Sequence, residues 1–184
     1  MKFDGVLKDK ECQQLIESAA PRLRESRLVN KVVSEIRTSR GMFFEERESP
    51  LIQRIERRIS QLMNVPIEHA EGLQVLHYGP GQEYKVHYDF FGQNSPAARN
   101  NRISTLVIYL NDVEEGGETV FPLLDLAVKP KRGSAVYFEY FYRDLQQANL
   151  AQQRSCCARR EMGRHPMDAN CWRWLARLVR TRTA

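Results

Sequence analysis

The pattern of apolar and polar residues divides the chain into a helical first part and a β-rich second part. Over Asp9–Ala19, apolar residues recur at helical spacing with charged residues between them, which predicts an amphipathic helix. Ser49 followed by Pro50 is a typical helix start. Apolar residues then mark one helical face as far as Leu62, and residues 64–66 end this second helix. We expect both helices to pack against a sheet.

From residue 72 onward, short apolar segments alternate with glycine-rich turns. Residues 103–110 are β-branched and apolar on both faces, as is typical of a buried strand. Two helices followed by many short strands predict a mainly β fold, either a sandwich or a jelly roll with helical backing. The strands are predicted at residues 73–78, 84–90, 103–110 and 134–142, with turns at 79–81 and 114–118.

Length and composition favour one domain over residues 1–184, divided into a helical support region (1–70), a β core (71–142) and an Arg-rich tail (143–184). The tail has nine Arg, three acidic residues and no Lys, which gives it a net charge of +6. Residues 1–142 therefore carry a net charge of about −1. The four cysteines include no C-x-x-C pair, which argues against a zinc site or a disulfide framework. No signal peptide or membrane span is recognisable, so a cytoplasmic protein without membrane contact is expected.

One pair of residues in the second predicted strand has the chemistry of metal ligands. Residues i and i+2 of a strand point to the same face, so His87 and Asp89 should converge on one point. An imidazole beside a carboxylate supplies two of the three ligands of 2-His-1-carboxylate Fe(II) sites. Taken alone, such a pair is more often a structural ion pair, so its context has to decide.

That context resembles the catalytic core of prolyl 4-hydroxylases, in several segments that follow in the same order. The resemblance covers about residues 4–142 and implies a double-stranded β-helix, which is a jelly roll, incomplete here at its C-terminal end. It also makes the segments 37–42 and 92–101 candidate substrate-covering elements. The similar segments are residues 37–43 (RTSRGMF), 72–78 (GLQVLHY), 81–91 (GQEYKVHYDFF), 102–110, 114–122 and 129–133 (KPKRG).

The resemblance implies a dioxygenase that hydroxylates proline in a protein or peptide with Fe(II), 2-oxoglutarate and O₂, and that binds ascorbate. His87 and Asp89 match the first two iron ligands of the family. Tyr78 matches a tyrosine that hydrogen-bonds the 2-oxoglutarate carboxylate, and Thr119 matches a residue near the same co-substrate. The alternatives are a core-packing aromatic residue for Tyr78 and an ordinary turn-to-strand residue for Thr119.

Residues 143–184 depart from the family pattern. The family requires a second histidine ligand and a lysine that pairs with 2-oxoglutarate, in a motif H-x-x-x-P-V-x-x-G-E-K-W followed by another tryptophan. The tail contains one histidine, His165, and no lysine. If the codons of the tail are read one nucleotide later, they can encode the whole motif. Met162–Gly163 and Met167–Asp168 must then each give a tryptophan codon. Our hypothesis is a single-nucleotide frameshift near residues 142–146. The alternative is that His165 replaces the missing histidine ligand.

Three other interpretations stay open. An oxygenase with a different substrate would share the same core. A binding module would use the Arg-rich segment 173–182, with Trp172 and Trp174, to contact nucleic acid, although nucleic acid is not the expected partner. A catalytically impaired remnant would keep the fold and lose 2-oxoglutarate turnover.

Overall fold

The computed structural model describes residues 1–25, 38–92, 95–96, 101–140, 154–156 and 173–181, with the last two ranges as backbone alone. Within those ranges two α-helices form, α1 (Asp9–Ala19) and α2 (Pro50–Met63). The strands described there are β1 (Lys2–Phe3), β2 (Arg24–Glu25), β3 (Arg40–Phe43), β4 (Gln74–Tyr78), β5 (Tyr84–His87), β6 (Arg102–Tyr109), β7 (Thr119–Phe121), β8 (Leu126–Val128), β9 (Ala135–Glu139), β10 (Arg154–Cys156) and β11 (Arg173–Thr181).

The strands form two antiparallel sheets around a common interior. The larger sheet has the order β1-β9-β6-β11-β4-β3-β2, and the smaller has the order β5-β10-β7-β8. Both sheets contribute to the interior, with Leu76 of β4, Val107 of β6 and Phe138 of β9 from one side and Phe121 of β7 from the other. Two antiparallel sheets that enclose one core are the architecture of a β-sandwich or a jelly roll, so the predicted mainly β fold is confirmed.

The two helices cover the outer face of the large sheet, as predicted. Leu15 of α1 and Ile55 of α2 are fully buried against sheet residues such as Ile108. The Ser49 side chain caps α2 by accepting a backbone N–H at 3.2 Å. Asn64, in the left-handed conformation with φ of 50°, ends that helix. Both helix predictions are therefore confirmed.

A charged contact joins α1 to α2. Arg58 donates to both carboxylate oxygens of Glu11, at 2.7 and 2.9 Å, and to the Val6 carbonyl oxygen at 2.9 Å. Glu11 also accepts the backbone N–H of Lys8 at 2.9 Å. The hydrogen bond from Arg58 is the main cause that lowers the pKa of Glu11, against the opposing effect of burial.

Strands β4 and β6 of the large sheet bury residues on both of their faces. In β6, Leu106 and Ile108 face the helices, whereas Val107 and Tyr109 face the interior between the sheets. This alternation follows from the two-residue period of a strand. The prediction of a strand that is apolar on both faces is confirmed.

Several elements differ from their predicted bounds or roles. The region 1–70 supplies not only helices but also strands β1, β2 and β3 of the large sheet. Residues 40–42 of the segment 37–42, which is expected to cover the substrate, belong to β3, and β3 pairs with β4. Most of the segment 92–101, the other expected cover, lies outside the described residues. Neither α1 nor α2 is long and apolar enough to span a membrane, and the described residues contain no other helix that is.

The strand expected to be missing at the C-terminal end is present in the backbone. β11 lies between β4 and β6 and pairs antiparallel with both, from Arg173↔Tyr78 to Thr181↔Arg102. The fold is thus more complete than the sequence predicted. The Arg-rich segment considered for nucleic acid is, over Arg173–Thr181, an internal strand of the sheet and not a free tail.

Candidate active site

The structure brings His87 and Asp89 together at the end of the small sheet. His87 is the last residue of β5, and Asp89 follows in a bend. His87 Nε2 lies 3.3 Å from Asp89 Oδ1, and the two side chains are only 10% and 1% exposed. The predicted convergence is therefore observed, although Asp89 reaches it from the bend and not from a continued strand.

The orientation of the His87 ring is set by contacts on its Nδ1 nitrogen and on its face. Its Nδ1 lies 2.7 Å from the carbonyl oxygen of Lys85. Because a carbonyl oxygen only accepts, Nδ1 carries a proton, and the other ring nitrogen, Nε2, is the one that faces Asp89. The ring of Tyr84 stacks on the imidazole, with centroids 3.5 Å apart. This orientation suits metal ligation, in which the second ring nitrogen commonly donates to a carbonyl.

The second oxygen of the Asp89 carboxylate is held by two buried hydroxyl groups. Tyr140 Oη donates to Asp89 Oδ2 at 2.7 Å, and Thr105 Oγ1 lies 3.3 Å from the same oxygen. The Tyr140 and Thr105 hydroxyls also lie within hydrogen-bond distance of each other, so Thr105, which has one hydrogen, donates either to Asp89 directly or to the Tyr140 oxygen. Oδ1, the oxygen on the side of His87, is thus the one left facing the imidazole.

The backbone of Asp89 is fixed by a charged side chain. Arg102 Nη1 donates to the Asp89 carbonyl oxygen at 3.1 Å. The same guanidinium binds both carboxylate oxygens of Glu71, at 2.6 and 2.9 Å, and lies 4.7 Å from the centroid of the Phe91 ring. A bidentate pair with a planar guanidinium restricts orientation as well as distance. Arg102 therefore links the start of β6 to the bend that carries the carboxylate.

The interior beside this pair is apolar but contains several hydroxyl groups. Tyr78, Tyr109 and Tyr140 all belong to the interior cluster and are at most 1% exposed. Thr119 is fully buried, and its Oγ1 accepts the Tyr109 hydroxyl at 2.9 Å. Tyr78 and Thr119 thus border the same interior, where polar groups in a dry surrounding can orient a small polar molecule.

Sequence reasoning missed the residues that hold Asp89. Tyr140 was interpreted as part of an aromatic strand, and Thr105 as a β-branched strand residue. The sequence contained one indication of this role. Alternate residues of a strand point to the same face, so Thr105 faces the interior together with Val107 and Tyr109. A hydroxyl at an inward position of a buried strand needs a polar partner.

His87 and Asp89 are two candidate metal ligands, and the part of the chain described with side chains contains no cluster of three His, Cys, Asp or Glu that could hold a metal ion. His165 lies outside the described residues. The backbone of β10 runs beside the site, with Arg154 at the register position opposite His87 and Cys156 opposite Thr119. A further ligand would therefore have to come from residues that are not described with side chains.

Comparison with known proteins gives concordant matches. The family model of the 2OG-Fe(II) oxygenase superfamily matches residues 73–159, a range that contains His87, Asp89, Tyr78 and Thr119. Probable prolyl 4-hydroxylase 10 of Arabidopsis thaliana is 41% identical to this chain over 162 residues. The matched region covers 74% of this chain and 56% of that protein. Prolyl 4-hydroxylase 1 of the same plant is 41% identical over 153 residues, 72% of this chain and 54% of that protein. The chain thus spans about half the length of these curated relatives.

Solved structures agree with the fold. The viral collagen prolyl hydroxylase of Paramecium Bursaria Chlorella virus-1, in its 2OG complex, superposes with a TM-score of 0.77 at 26% identity, covering 100% of this chain and 96% of that one. A prolyl-4-hydroxylase of Pseudomonas putida superposes with a TM-score of 0.63 at 16% identity, covering 100% and 92%, and supports the fold alone.

Proposed function

Because this chain belongs to the prolyl 4-hydroxylase family of 2OG-Fe(II) oxygenases, we propose that it hydroxylates proline residues in a peptide or protein, with Fe(II), 2-oxoglutarate and O₂. The observation that carries the proposal is the buried pair of His87 Nε2 and Asp89 Oδ1, 3.3 Å apart. Both atoms are oriented by other contacts, and the pair lies beside an interior that contains hydroxyl groups.

The donor set fits ferrous iron. A neutral imidazole nitrogen and a carboxylate oxygen are two of the three protein ligands in non-heme Fe(II) oxygenases, which leave positions open for a co-substrate and O₂. When bound there, iron with 2-oxoglutarate supplies the oxidising chemistry that inserts one oxygen atom into the substrate. The protein contributes binding, orientation and exclusion of water.

We assign Tyr78 and Thr119 to 2-oxoglutarate. Both residues border the buried interior between the sheets, and both carry hydroxyls that can bind a carboxylate. The Tyr109 hydroxyl donates to Thr119 Oγ1 at 2.9 Å, which orients the Thr119 hydroxyl within this interior. Aromatic residues such as Phe121 and Phe138, whose rings meet edge to face at 5.1 Å, line the same space and keep it dry.

We also infer that Fe(II) binding and turnover by the chain as written are both weak. His87 and Asp89 supply two ligands where three are needed, and residues 143–184 contain no lysine to pair with 2-oxoglutarate. A frameshift accounts for both deficits and for the Arg-only composition of the tail. Resequencing codons 140–184 tests it, and an unbroken frame shared by close relatives would refute it.

The decisive experiment measures iron-dependent succinate release and, by mass spectrometry, the gain of one oxygen atom by proline-rich peptides. We expect weak Fe(II) binding that the substitution His87→Ala abolishes and that the control His69→Ala leaves intact. Equal Fe(II) binding by wild type and His87→Ala would overturn the site. Succinate release without peptide oxidation would favour another substrate. Ascorbate use and a cytoplasmic location are predictions as well, tested by the ascorbate dependence of turnover and by cell fractionation.

A further inference from the structure

The Asp89 carboxylate is the part of the site whose orientation depends most on contacts distant in sequence. A carboxylate has two equivalent oxygens, and either could approach a metal ion. In this structure Oδ2 is contacted by the hydroxyls of Tyr140 and Thr105, whereas Oδ1 lies 3.3 Å from His87 Nε2. The two oxygens thus differ in that the hydroxyl groups bind Oδ2, whereas Oδ1 faces the imidazole.

We propose that Tyr140, assisted by Thr105, is a positioning residue that fixes which oxygen of Asp89 faces the metal ion. This inference rests on the proposed function, since it concerns the same metal site. It adds a role for a residue that does not touch the substrate or the metal ion and acts only through the carboxylate.

The hydroxyl pair is rigid and dry. Tyr140 and Thr105 are fully buried, and Asp89 is 4% exposed. The Tyr140 ring lies against Phe138 and Phe90, at centroid distances of 5.6 and 5.9 Å. A hydrogen bond from a hydroxyl to a carboxylate is strong, and it is stronger where water cannot compete. The packing of the Tyr140 ring therefore fixes the position of its hydroxyl group.

The contact also connects the two sheets, in addition to the bond from Arg102 to the Asp89 carbonyl oxygen. Asp89 follows β5 of the small sheet, whereas Thr105 lies in β6 of the large sheet. Tyr140 directly follows β9, the neighbour of β6, and its backbone N–H donates to the Ile103 carbonyl oxygen at 2.8 Å. The carboxylate is therefore held from the large sheet while His87 is held from the small one. This arrangement fixes the distance between the two ligands.

The alternative is that the hydroxyls only satisfy a buried carboxylate, with no effect on the metal ion. The two roles differ in a measurable way. If Tyr140 only stabilises the fold, its loss lowers stability and leaves the metal-bound spectrum unchanged. If it positions Asp89, its loss frees Oδ2, so that the carboxylate can rotate or bind through both oxygens, and the coordination geometry changes.

The test is a titration with Co(II), which does not require turnover and whose visible absorption reports coordination geometry. The variants are Tyr140→Phe, Thr105→Val and Thr105→Ser. The matched control is Tyr137→Phe, because Tyr137 lies on the same strand but its hydroxyl donates to Glu139, at 2.5 Å. Circular dichroism and thermal unfolding of each metal-free protein establish that it is folded.

We expect Tyr140→Phe to weaken Co(II) affinity by about 10- to 100-fold, the usual effect of losing a partner of a ligand, and to alter the Co(II) spectrum. Thr105→Val should have the same effect to a smaller degree, and Thr105→Ser and Tyr137→Phe should resemble wild type. If Tyr140→Phe does not fold, Thr105→Val decides.

Wild-type affinity and an unchanged spectrum in a folded Tyr140→Phe protein would overturn the inference alone. Failure of the folded wild-type chain to bind Co(II) at all would overturn the proposed function together with it.

Discussion

The contact between Arg58 and Glu11 should make the stability of the protein depend on pH in a specific way. Arg58 donates two short hydrogen bonds to Glu11 and a third to the Val6 carbonyl oxygen. The Glu11 side chain is 11% exposed and that of Arg58 is 36% exposed. The substitution Arg58→Met keeps the apolar stem of the side chain and removes all three hydrogen bonds.

The expected magnitude follows from this geometry. Hydrogen bonds to charged groups contribute about 1.5–3 kcal/mol when buried, and partial exposure of Arg58 reduces that value. We therefore expect Arg58→Met to lower the free energy of unfolding by about 2 kcal/mol at pH 7.

The sign of the pH dependence is set by the lowered pKa of Glu11, whose main cause is the hydrogen bond from Arg58. A carboxyl group with a lowered folded-state pKa stabilises the protein above its unfolded-state pKa, and this stabilisation is lost as the pH falls through the folded-state value. The difference between wild type and Arg58→Met should therefore shrink between pH 5 and the acid limit of folding.

Urea unfolding at a series of pH values measures this difference. The matched control is Arg57→Met, at the exposed neighbouring position on α2, which should change stability by less than about 0.5 kcal/mol. The reasoning would be refuted if the loss of unfolding free energy caused by Arg58→Met stayed constant down to acid pH. It would also be refuted if that loss equalled the loss caused by Arg57→Met.

Three further outcomes follow from buried positions. Ile55→Ala, at a fully buried site under the sheet, should cost about 2–5 kcal/mol in urea unfolding. Gly133→Ala should destabilise strongly, because Gly133 has a φ of +74° and an added Cβ would lie 2.2 Å from the Leu7 carbonyl oxygen. Gly92→Ala, with nothing within 4 Å, is its control. Burial raises the pKa of the Cys12 thiol to about 11, so mass spectrometry should find it alkylated slowly at pH 8 in the native protein and rapidly in urea.

The local features of the fold were predictable because they depend on short sequence periods. The capping of α2 by Ser49, its end at Asn64 and the two apolar faces of β6 all follow from residues within one element. The convergence of His87 and Asp89 was predictable for the same reason. The end of β5 at His87 was not, since the alternation of side chains continues beyond the last strand pairing.

The remainder of the site depends on contacts between distant strands. Asp89 and Tyr140 meet because β5 and β9 lie on opposite sides of one interior, and no periodicity within a single strand encodes that pairing. The bond between Arg102 and Glu71 is of the same kind. The order of strands also escaped prediction, because the jelly roll was expected to be incomplete at its C-terminal end, where the backbone of β11 completes the sheet.

The position of β11 imposes an order on assembly. β4 and β6 do not pair with each other, so the large sheet stays split into two halves until residues 173–181 enter between them. Forming the hydrogen bonds of this sheet thus waits on contacts that are far apart along the chain, which slows folding. A chain interrupted before residue 173 would present two bare strand edges to its neighbours, and such edges promote aggregation.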